Sequence, residues 1–268
     1  MVSQPLLLES RRGNFNTVFQ LTDISKSFGA TVALSNISID IKQGEHVAII
    51  GPSGSGKTTL LKLLNGQVLQ DSGSYSIAES HLDRLSNKGL RKLRSEIAYI
   101  PQDLGLIPQL KVFQNILLGK VGKHSALGML SKFLIPSSKN LQHIFSLLQR
   151  VGIPEKMYHH TATLSGGQQQ RVAVARALFQ QAHSLLADEP ISAVDPARAR
   201  SLITLLTEIA KENQLTLVMS IHNVELAREF FPRIIGLKNG HVLFDSSEVS
   251  TEQLEELYHL SESELVEP

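Results

Sequence analysis

The feature that most constrains this sequence is a glycine-rich segment between two apolar runs. It reads Gly51-Pro52-Ser53-Gly54-Ser55-Gly56-Lys57-Thr58 and fits the pattern G-x-x-x-x-G-K-[ST]. The apolar run before it, at 46–50, is typical of a buried strand, and the leucine-rich run after it predicts a helix that ends near Gly66. A chain with this segment is expected to form a strand, a tight turn and a helix in succession.

This segment has the residue types that phosphate binding requires. Glycine allows the backbone to curl until successive N–H groups point at phosphate oxygens, and the N-terminus of the following helix adds partial positive charge. At this spacing Lys57 reaches the β- and γ-phosphates of a nucleotide, and the Thr58 hydroxyl ligates Mg²⁺. A glycine-rich turn without a ligand is the weaker alternative, because such a turn needs neither the lysine nor the threonine.

Two adjacent carboxylates follow a second short apolar run. The run at 185–187 is followed by Asp188, Glu189 and Pro190. Open α/β sheets bind ligands at the carboxyl ends of their strands. We therefore expect both carboxylates beside the glycine-rich segment at 51–58, which we call the phosphate loop. Asp188 is predicted to hold Mg²⁺ through water, and Glu189, which strand alternation turns to the opposite side, is predicted to be the general base for an attacking water. An acidic turn ended by proline is the alternative.

A second pair of glycines lies in the segment Leu164-Ser165-Gly166-Gly167-Gln168. Ser165 is a good N-cap, and the glycines after it leave backbone amides open at the start of a helix, which suits an anion. The chain has one glycine-rich segment of the nucleotide-binding type, at 51–58, so a second phosphate site must serve another nucleotide. If two copies pack head to tail, each nucleotide contacts the segment at 51–58 of one copy and the segment at 164–168 of the other. A simple glycine-rich helix cap explains these residues equally well.

The order of the other segments predicts an α/β fold. Alternating residues between 18 and 34 indicate short antiparallel strands, and the run at 215–220 indicates another buried strand. Asp195-Pro196 is typical of a helix start, and Asn239-Gly240 is typical of a hairpin turn. Strands that alternate with helices in this way favour an α/β core.

The stretch at 104–154 is unusual because it holds six basic residues and not one Asp or Glu. Near its end, Leu141, Ile144, Phe145 and Leu148 recur at helical spacing. We expect a largely helical lobe inserted into the α/β core. Its charge suits a position near anionic headgroups or an acidic partner, although a solvated helical face explains it equally well.

Composition excludes several classes of protein. The 268 residues include no cysteine, which excludes disulfides and cysteine-ligated zinc. No apolar run approaches the about 18 residues of a membrane-spanning helix. The formal net charge is +1, whereas a general nucleic-acid binder is usually strongly basic, so we expect no nucleic-acid partner. Residues 1–13 lack the order of charged and apolar residues that a secretory signal has.

In combination these motifs resemble those of the ATPase subunits of ABC transporters, from about Phe19 to about Asp245. The resemblance implies a P-loop NTPase core with an antiparallel β subdomain and an inserted α-helical subdomain. It implies a flexible N-terminal tail at 1–16, an ABC ATPase domain at 17–247 with its helical subdomain at about 104–180, and a short acidic C-terminal helix and tail at 248–268.

The resemblance also implies roles for individual residues. Gln102 resembles the glutamine that contacts Mg²⁺ and senses the membrane partner, and His222 resembles the histidine that orients the γ-phosphate and water. Phe28 resembles the aromatic residue that stacks on adenine, and Asp195 resembles the aspartate of a loop at the dimer contact, here with Val194 where leucine is usual.

The implied sites comprise four groups of residues. The catalytic group is Glu189, His222 and Gln102, and the metal group is Thr58, Gln102 and Asp188. The residues that contact ATP are Phe28, Gly51, Pro52, Ser53, Gly54, Ser55, Gly56, Lys57, Thr58 and Thr59. The signature residues, which contact the ATP of a second copy, are Leu164, Ser165, Gly166, Gly167 and Gln168. The alternatives are a core position for Phe28, a plain loop position for Gln102 and a structural role for His222.

Within the importers, the segments at 115–120 and 166–173 are most similar to the ATPases of phosphonate uptake systems. The resemblance implies that ATP hydrolysis with Mg²⁺ drives uptake of a phosphonate or a related phosphorus oxyanion. The implied partners are a second copy of this chain, transmembrane permease subunits and, through them, a periplasmic or extracellular substrate-binding protein. The implied location is the cytoplasmic face of the cell membrane. An exporter-type or lipoprotein-releasing ATPase, or an ABC ATPase without a transport role, is the alternative.

Overall fold

A computed structural model describes residues 17–77, 80–123, 136–190 and 196–258. The predicted tail at 1–16, Lys132, Asp195 and the end of the chain at 259–268 lie outside the described residues. The strands are β1 (Thr17–Phe28), β2 (Thr31–Lys42), β3 (His46–Ile50), β4 (Ser72–Ile77), β5 (Ser80–His81), β6 (Ile97–Ile100), β7 (Ser184–Asp188), β8 (Thr216–Ser220), β9 (Arg233–Lys238) and β10 (His241–Ser246). The helices are α1 (Lys57–Leu64), α2 (Asn87–Ser95), α3 (Val112–Leu117), α4 (Ser138–Arg150), α5 (Gly166–Phe179), α6 (Pro196–Glu212), α7 (Val224–Phe230) and α8 (Thr251–Tyr258).

The larger sheet has six strands in the order β10-β9-β3-β8-β7-β6. The strands from β9 to β6 run parallel, and β10 pairs antiparallel with β9 through the predicted hairpin at Asn239-Gly240. The central strands β7 and β8 are buried on both faces, as expected for a parallel sheet covered by helices. Because these strands are parallel, β3, β7 and β8 present their carboxyl ends at the same edge of the sheet.

The smaller sheet is antiparallel, with the order β2-β1-β4-β5. β1 and β2 have 12 residues each, so they are longer than the short strands that the alternating pattern indicates. The leucines of α1 pack in one cluster with residues from both sheets, among them Leu21 of β1 and Val47 of β3. The helix that follows the phosphate loop is therefore held from two sides.

Helices α3, α4 and α5 follow β6 and precede β7 in the sequence, and they pack against one another. Ile144 and Leu148 of α4 are buried in the same cluster as Ile116 of α3 and Val172 of α5. Phe145, which shares the helical spacing in the sequence, is 44% exposed, because Leu147 completes the buried face of α4 instead. These helices lie where the sequence predicts an inserted helical lobe; the boundaries at 17–247 and about 104–180 stay predictions.

Among the described helices, none combines the length and the apolar character that crossing a membrane requires. The predicted α6 begins at Pro196 and buries Leu202, Leu206 and Ile209.

Candidate functional site

The phosphate loop connects the end of β3 to the start of α1. A Cβ added to Gly51 would lie 2.1 Å from the carbonyl oxygen of Leu237, and one added to Gly56 would lie 2.5 Å from that of Ala33. Gly56 also has a φ of 104°, which favours glycine. Gly56 is the N-cap of α1 and has no side chain that could accept a hydrogen bond, so no N-cap side chain binds the first N–H groups of this helix. The loop therefore offers backbone donors to an anion.

Ser55 provides a second, independent observation at this loop. Its side chain is fully buried, and its Oγ has no hydrogen-bond partner within the described structure. A buried hydroxyl without a partner costs about 1–3 kcal/mol, so this atom calls for a polar ligand. Ser53 and Gly54 beside it are exposed, and nothing lies within 4 Å of a Cβ added to Gly54. The residues present fit a bound phosphate group.

Lys57 is a buried cation inside the loop. Its Nζ donates hydrogen bonds to the carbonyl oxygens of Gly51 at 3.0 Å and Pro52 at 2.9 Å, and it lies 3.7 Å from Glu189 Oε1. Burial lowers the pKa of Lys57, while the charges of Glu189 and Asp188 act in the opposite direction. The ammonium group is thus held where the loop curls around it.

Asp188 ends β7 with its carboxylate next to the first turn of α1. The Thr58 hydroxyl donates to Asp188 Oδ1 at 3.2 Å, and the Tyr99 hydroxyl donates to Oδ2 at 3.3 Å. Burial and the neighbouring Asp188 raise the pKa of Tyr99, so its hydroxyl stays protonated and remains a donor. A hydroxyl and a carboxylate oxygen side by side are ligands that Mg²⁺ prefers, so Thr58 and Asp188 fit the role of holding this ion. Thr59, the next residue, is half-buried in α1.

Glu189 lies one residue beyond the end of β7, in a left-handed conformation with a φ of 44°. Gln102 Nε2 donates to its Oε2 at 3.0 Å, and His222 Nε2 lies 2.7 Å from its Oε1. The Glu189 carboxylate is therefore the point where Lys57, Gln102 and His222 meet. Its direction follows from this backbone turn rather than from strand alternation, because β7 has already ended at Asp188.

Phe28 ends β1, and its side chain is 52% exposed. A core position for this ring, the alternative from the sequence, is therefore wrong. Lys26 Nζ lies 5.4 Å from the ring centroid, within the range of a cation–π contact. An exposed aromatic ring at a strand end is free to stack on a planar ligand.

The signature segment forms the start of α5. Ser165 is the N-cap: its Oγ accepts from the Gln168 N–H at 3.4 Å, and the Gln168 side chain accepts from the Ser165 N–H at 3.0 Å. Leu164 is buried, and nothing lies within 4 Å of a Cβ added to Gly166 or Gly167. Apart from the backbone bonds within α5, the hydrogen bonds that the described structure gives this segment join residues between 161 and 169, and none joins it to the phosphate loop of the same chain.

Two residues of the site escaped the sequence analysis. Tyr99 lies in β6 and Ser220 ends β8, and both contact Asp188. A polar residue at the carboxyl end of an otherwise apolar strand was the signal for Ser220. Tyr99 gave no such signal, because a tyrosine within a short strand is equally typical of the core.

The chain is similar to known proteins in both sequence and fold. The family model described as "ABC transporter" matches residues 34–192. The chain is 39% identical over 251 residues to a Nostoc sp. protein named "Phosphonates import ATP-binding protein PhnC 1", covering 92% of this chain and 94% of that one. It is 44% identical over 216 residues to a Cupriavidus metallidurans protein named "Phosphonates import ATP-binding protein PhnC 2", covering 81% of this chain and 76% of that one.

Among solved structures, the chain is similar to a dimeric bacterial ABC transporter cassette, with a TM-score of 0.77 and 30% identity over 87% of this chain and all of that one. It is also similar to the same cassette in a post-hydrolysis state bound to ADP and phosphate, with a TM-score of 0.72 and 31% identity over the same shares of both chains. The predicted fold class, a P-loop ATPase core with added β and helical parts, is confirmed by these similarities and by the two sheets.

Proposed function

The chain belongs to the ABC transporter family, where it is an ATP-hydrolysing subunit, and from this premise we propose that it energises the import of phosphonates. The observation that carries the ATPase assignment is the convergence of the phosphate loop, the Thr58–Asp188 pair and the Glu189 carboxylate at one edge of the larger sheet. The substrate class comes from the names of the relatives.

In the proposed site, the loop N–H groups and Lys57 hold the phosphates of ATP. Thr58, Asp188 and Gln102 would hold Mg²⁺, which supplies charge neutralisation at the phosphate oxygens when bound. Lys57 has to exchange the carbonyl oxygens of Gly51 and Pro52 for phosphate oxygens. Phosphate is the better acceptor, because its oxygens carry negative charge that attracts the ammonium group and the neutral carbonyl oxygens do not.

Glu189 is the proposed general base. Its carboxylate takes a proton from the attacking water, and a positioned base of this kind contributes about 10²–10⁴-fold to a rate. Gln102 and His222, which contact the two carboxylate oxygens, orient it. An ionised carboxylate has about four acceptor positions, so the attacking water can donate to the same carboxylate that Gln102 and His222 orient.

A second copy of the chain completes the proposed site. The open amides of Gly166 and Gly167 are suited to a phosphate, and the relative of known structure is a dimer. The Ser165 Oγ accepts from Gln168 N–H, which leaves its own proton for an anion. We propose that two copies hold two ATP molecules between them, on the cytoplasmic side of the membrane and bound to permease subunits.

The ATPase proposal is tested on the purified full chain. Native protein is expected to release phosphate from ATP with Mg²⁺, and Glu189→Gln is expected to lower kcat by about 10²–10⁴-fold. Glu225→Gln, which changes a carboxylate in the first turn of α7, is the matched control and should keep the native rate. A native rate in Glu189→Gln contradicts the assignment of the base.

The transport proposal needs a separate measurement. Cells in which the gene for this chain is disrupted are expected to lose uptake of radiolabelled methylphosphonate, and the native gene should restore uptake while the Glu189→Gln gene should not. Unchanged methylphosphonate uptake, in cells whose chain is an active ATPase, contradicts the substrate class and leaves the ATPase assignment intact.

A further inference from the structure

One hydroxyl group lies between the two adjacent carboxylate residues of the site. Ser220 is the last residue of β8 and is fully buried, and the pairing of β8 with β7 sets it opposite Asp188. Its Oγ lies 2.8 Å from Asp188 Oδ1 and 2.8 Å from the backbone nitrogen of Glu189. The strand register therefore brings a single side chain into contact with both the metal-binding carboxylate and the base.

The direction of these two hydrogen bonds is fixed by their chemistry. A backbone N–H can only donate, so the Ser220 hydroxyl accepts from Glu189 and has its one proton left for Asp188. Asp188 then receives hydroxyl donors from Thr58, Tyr99 and Ser220. Its carboxylate is held from three directions, which leaves it little freedom to rotate.

The backbone at Glu189 is in a conformation that needs such support. A φ of 44° is uncommon for a residue with a side chain, and such conformations persist where the surrounding structure holds them. On the near side, the Ser220 hydroxyl binds the Glu189 N–H. On the far side, Gln170 of α5 donates to the Pro190 carbonyl oxygen at 2.9 Å. These two contacts fix the corner from which the Glu189 side chain projects.

The end of β8 also reaches the side chain of Glu189. His222, two residues after Ser220, lies 2.7 Å from Glu189 Oε1. The segment between them is anchored, because the Ile221 N–H donates to the Ile49 carbonyl oxygen at 3.0 Å and Asn223 caps α7. One short segment thus holds the base by its backbone and by its carboxylate.

We propose that Ser220 is a positioning residue for ATP hydrolysis: its hydroxyl fixes the Glu189 backbone and the Asp188 carboxylate relative to each other, so that base and metal ligand keep one geometry. This inference rests on the proposed function, since it gives Ser220 a role through Glu189 and Asp188. Ser220 itself makes no contact with the nucleotide in this scheme. Its removal should slow the chemical step rather than weaken ATP binding.

The test compares Ser220→Ala with the native full chain in steady-state ATP hydrolysis. Removing a group that orients metal ligands and their neighbours costs about 10–100-fold in activity, and we expect that loss in kcat, with the KM for ATP within about threefold of native. Amide hydrogen exchange at Glu189 provides a direct readout, because its N–H loses its acceptor and should exchange at least about tenfold faster. Ser220→Cys, which keeps nearly the same volume with a weak donor, should show a kcat loss in the same direction.

Thr216→Val is the matched control. Thr216 begins the same strand, is equally buried, and its Oγ1 accepts from the Gly44 N–H at 3.0 Å, so the variant removes a buried hydroxyl far from the site. It should keep the native kcat. The positioning role is overturned if Ser220→Ala or Ser220→Cys has the native kcat, or if Thr216→Val loses as much kcat as they do. In each case, loss of activity in Glu189→Gln shows that the proposed function itself still holds. Absence of hydrolysis in the native chain overturns the proposed function instead.

Discussion

At the scale of single residues, the charged groups of the site already have partners within the chain. Lys57 donates to two carbonyl oxygens of its own loop, and both oxygens of Glu189 are in contact with Gln102 and His222. In the proposed site, binding of ATP replaces these contacts, so we expect the affinity for ATP to reflect the difference in free energy between the two sets of contacts. Burial, which lowers the pKa of Lys57, disfavours its charged form, and the phosphates reverse that effect by supplying negative charge.

Replacing Lys57 by alanine should weaken ATP binding, because it removes the ammonium group that we propose to contact the phosphates. A hydrogen bond to a charged group is worth about 1.5–3 kcal/mol, so the dissociation constant for ATP should rise about 10–150-fold. Equilibrium binding of a fluorescent ATP analogue measures this. Lys62→Ala, one turn further along α1, is the control and should bind as the native chain does. Equal affinity in Lys57→Ala and the native chain contradicts the assignment of the phosphate loop.

At the scale of elements, the sequence predicts those helices, strands and turns whose signals lie within a few neighbouring residues. The strand–loop–helix at 46–64, the buried strand at 216–220 and the hairpin at Asn239-Gly240 follow from residue order, because each has its signal within a few positions. The contacts of Tyr99 and Ser220 with Asp188 do not, because they arise from the pairing of β6, β7 and β8, whose residues are far apart in the sequence. The turn of the Glu189 backbone was missed for the same reason: its partner Ser220 is 31 positions away.

Arg176 ties α5 to the loop that follows Gln102. Its guanidinium donates to the carbonyl oxygens of Leu104 at 2.6 Å and Gly105 at 2.5 Å, and both residues have positive φ. Arg176→Met removes both bonds and should lower the free energy of unfolding by about 1.5–3 kcal/mol in urea titrations.

An exposed arginine provides the comparison for Arg176. Arg200 pairs with Glu229 at the surface, where such pairs contribute about 0–1 kcal/mol, so Arg200→Met should cost less. Equal losses in the two variants contradict the structural role assigned to Arg176.

The packing of α4 on α5 predicts a sensitivity to acid. Burial, and secondly the charge of Lys120, lower the pKa of His143, whose ring lies 5.2 Å from that of Phe179. The unfolded chain then binds more protons than the folded one below about pH 6.5, so this group destabilises the fold as pH falls through that value. His143→Gln should reduce the fall in melting temperature between pH 7.5 and 5.5 by about 1–2 °C, a small effect because the ring is half-exposed. His241→Gln, at an exposed position, should leave the fall in melting temperature unchanged. An equal change in both variants contradicts the assignment of the acid sensitivity to His143.

At the scale of the whole molecule, the two segments that we propose to bind phosphate differ in structure. The loop at 51–58 is closed around Lys57, whereas Gly166 and Gly167 are open at the start of a helix whose cap is complete. A helix cap and a phosphate site are compatible uses of Ser165, because its hydroxyl accepts from the Gln168 N–H and donates its own proton elsewhere. The sequence favours neither use over the other, because a serine before two glycines suits a helix cap and an anion site equally well.

A dimer that depends on ATP follows from this arrangement. With Glu189→Gln, bound ATP is not consumed, so each γ-phosphate stays in place to join two copies. Sedimentation of this variant should show a monomer without nucleotide and a dimer with saturating ATP and Mg²⁺. Adding Ser165→Arg, which places a large side chain at the open helix start, should leave it monomeric. Adding Ser86→Arg instead, at the exposed N-cap of α2, removes a comparable cap and should leave the dimer intact. If Glu189→Gln stays monomeric while it binds ATP, the segment at 164–168 is a helix cap and no more, and the second phosphate site must be given up.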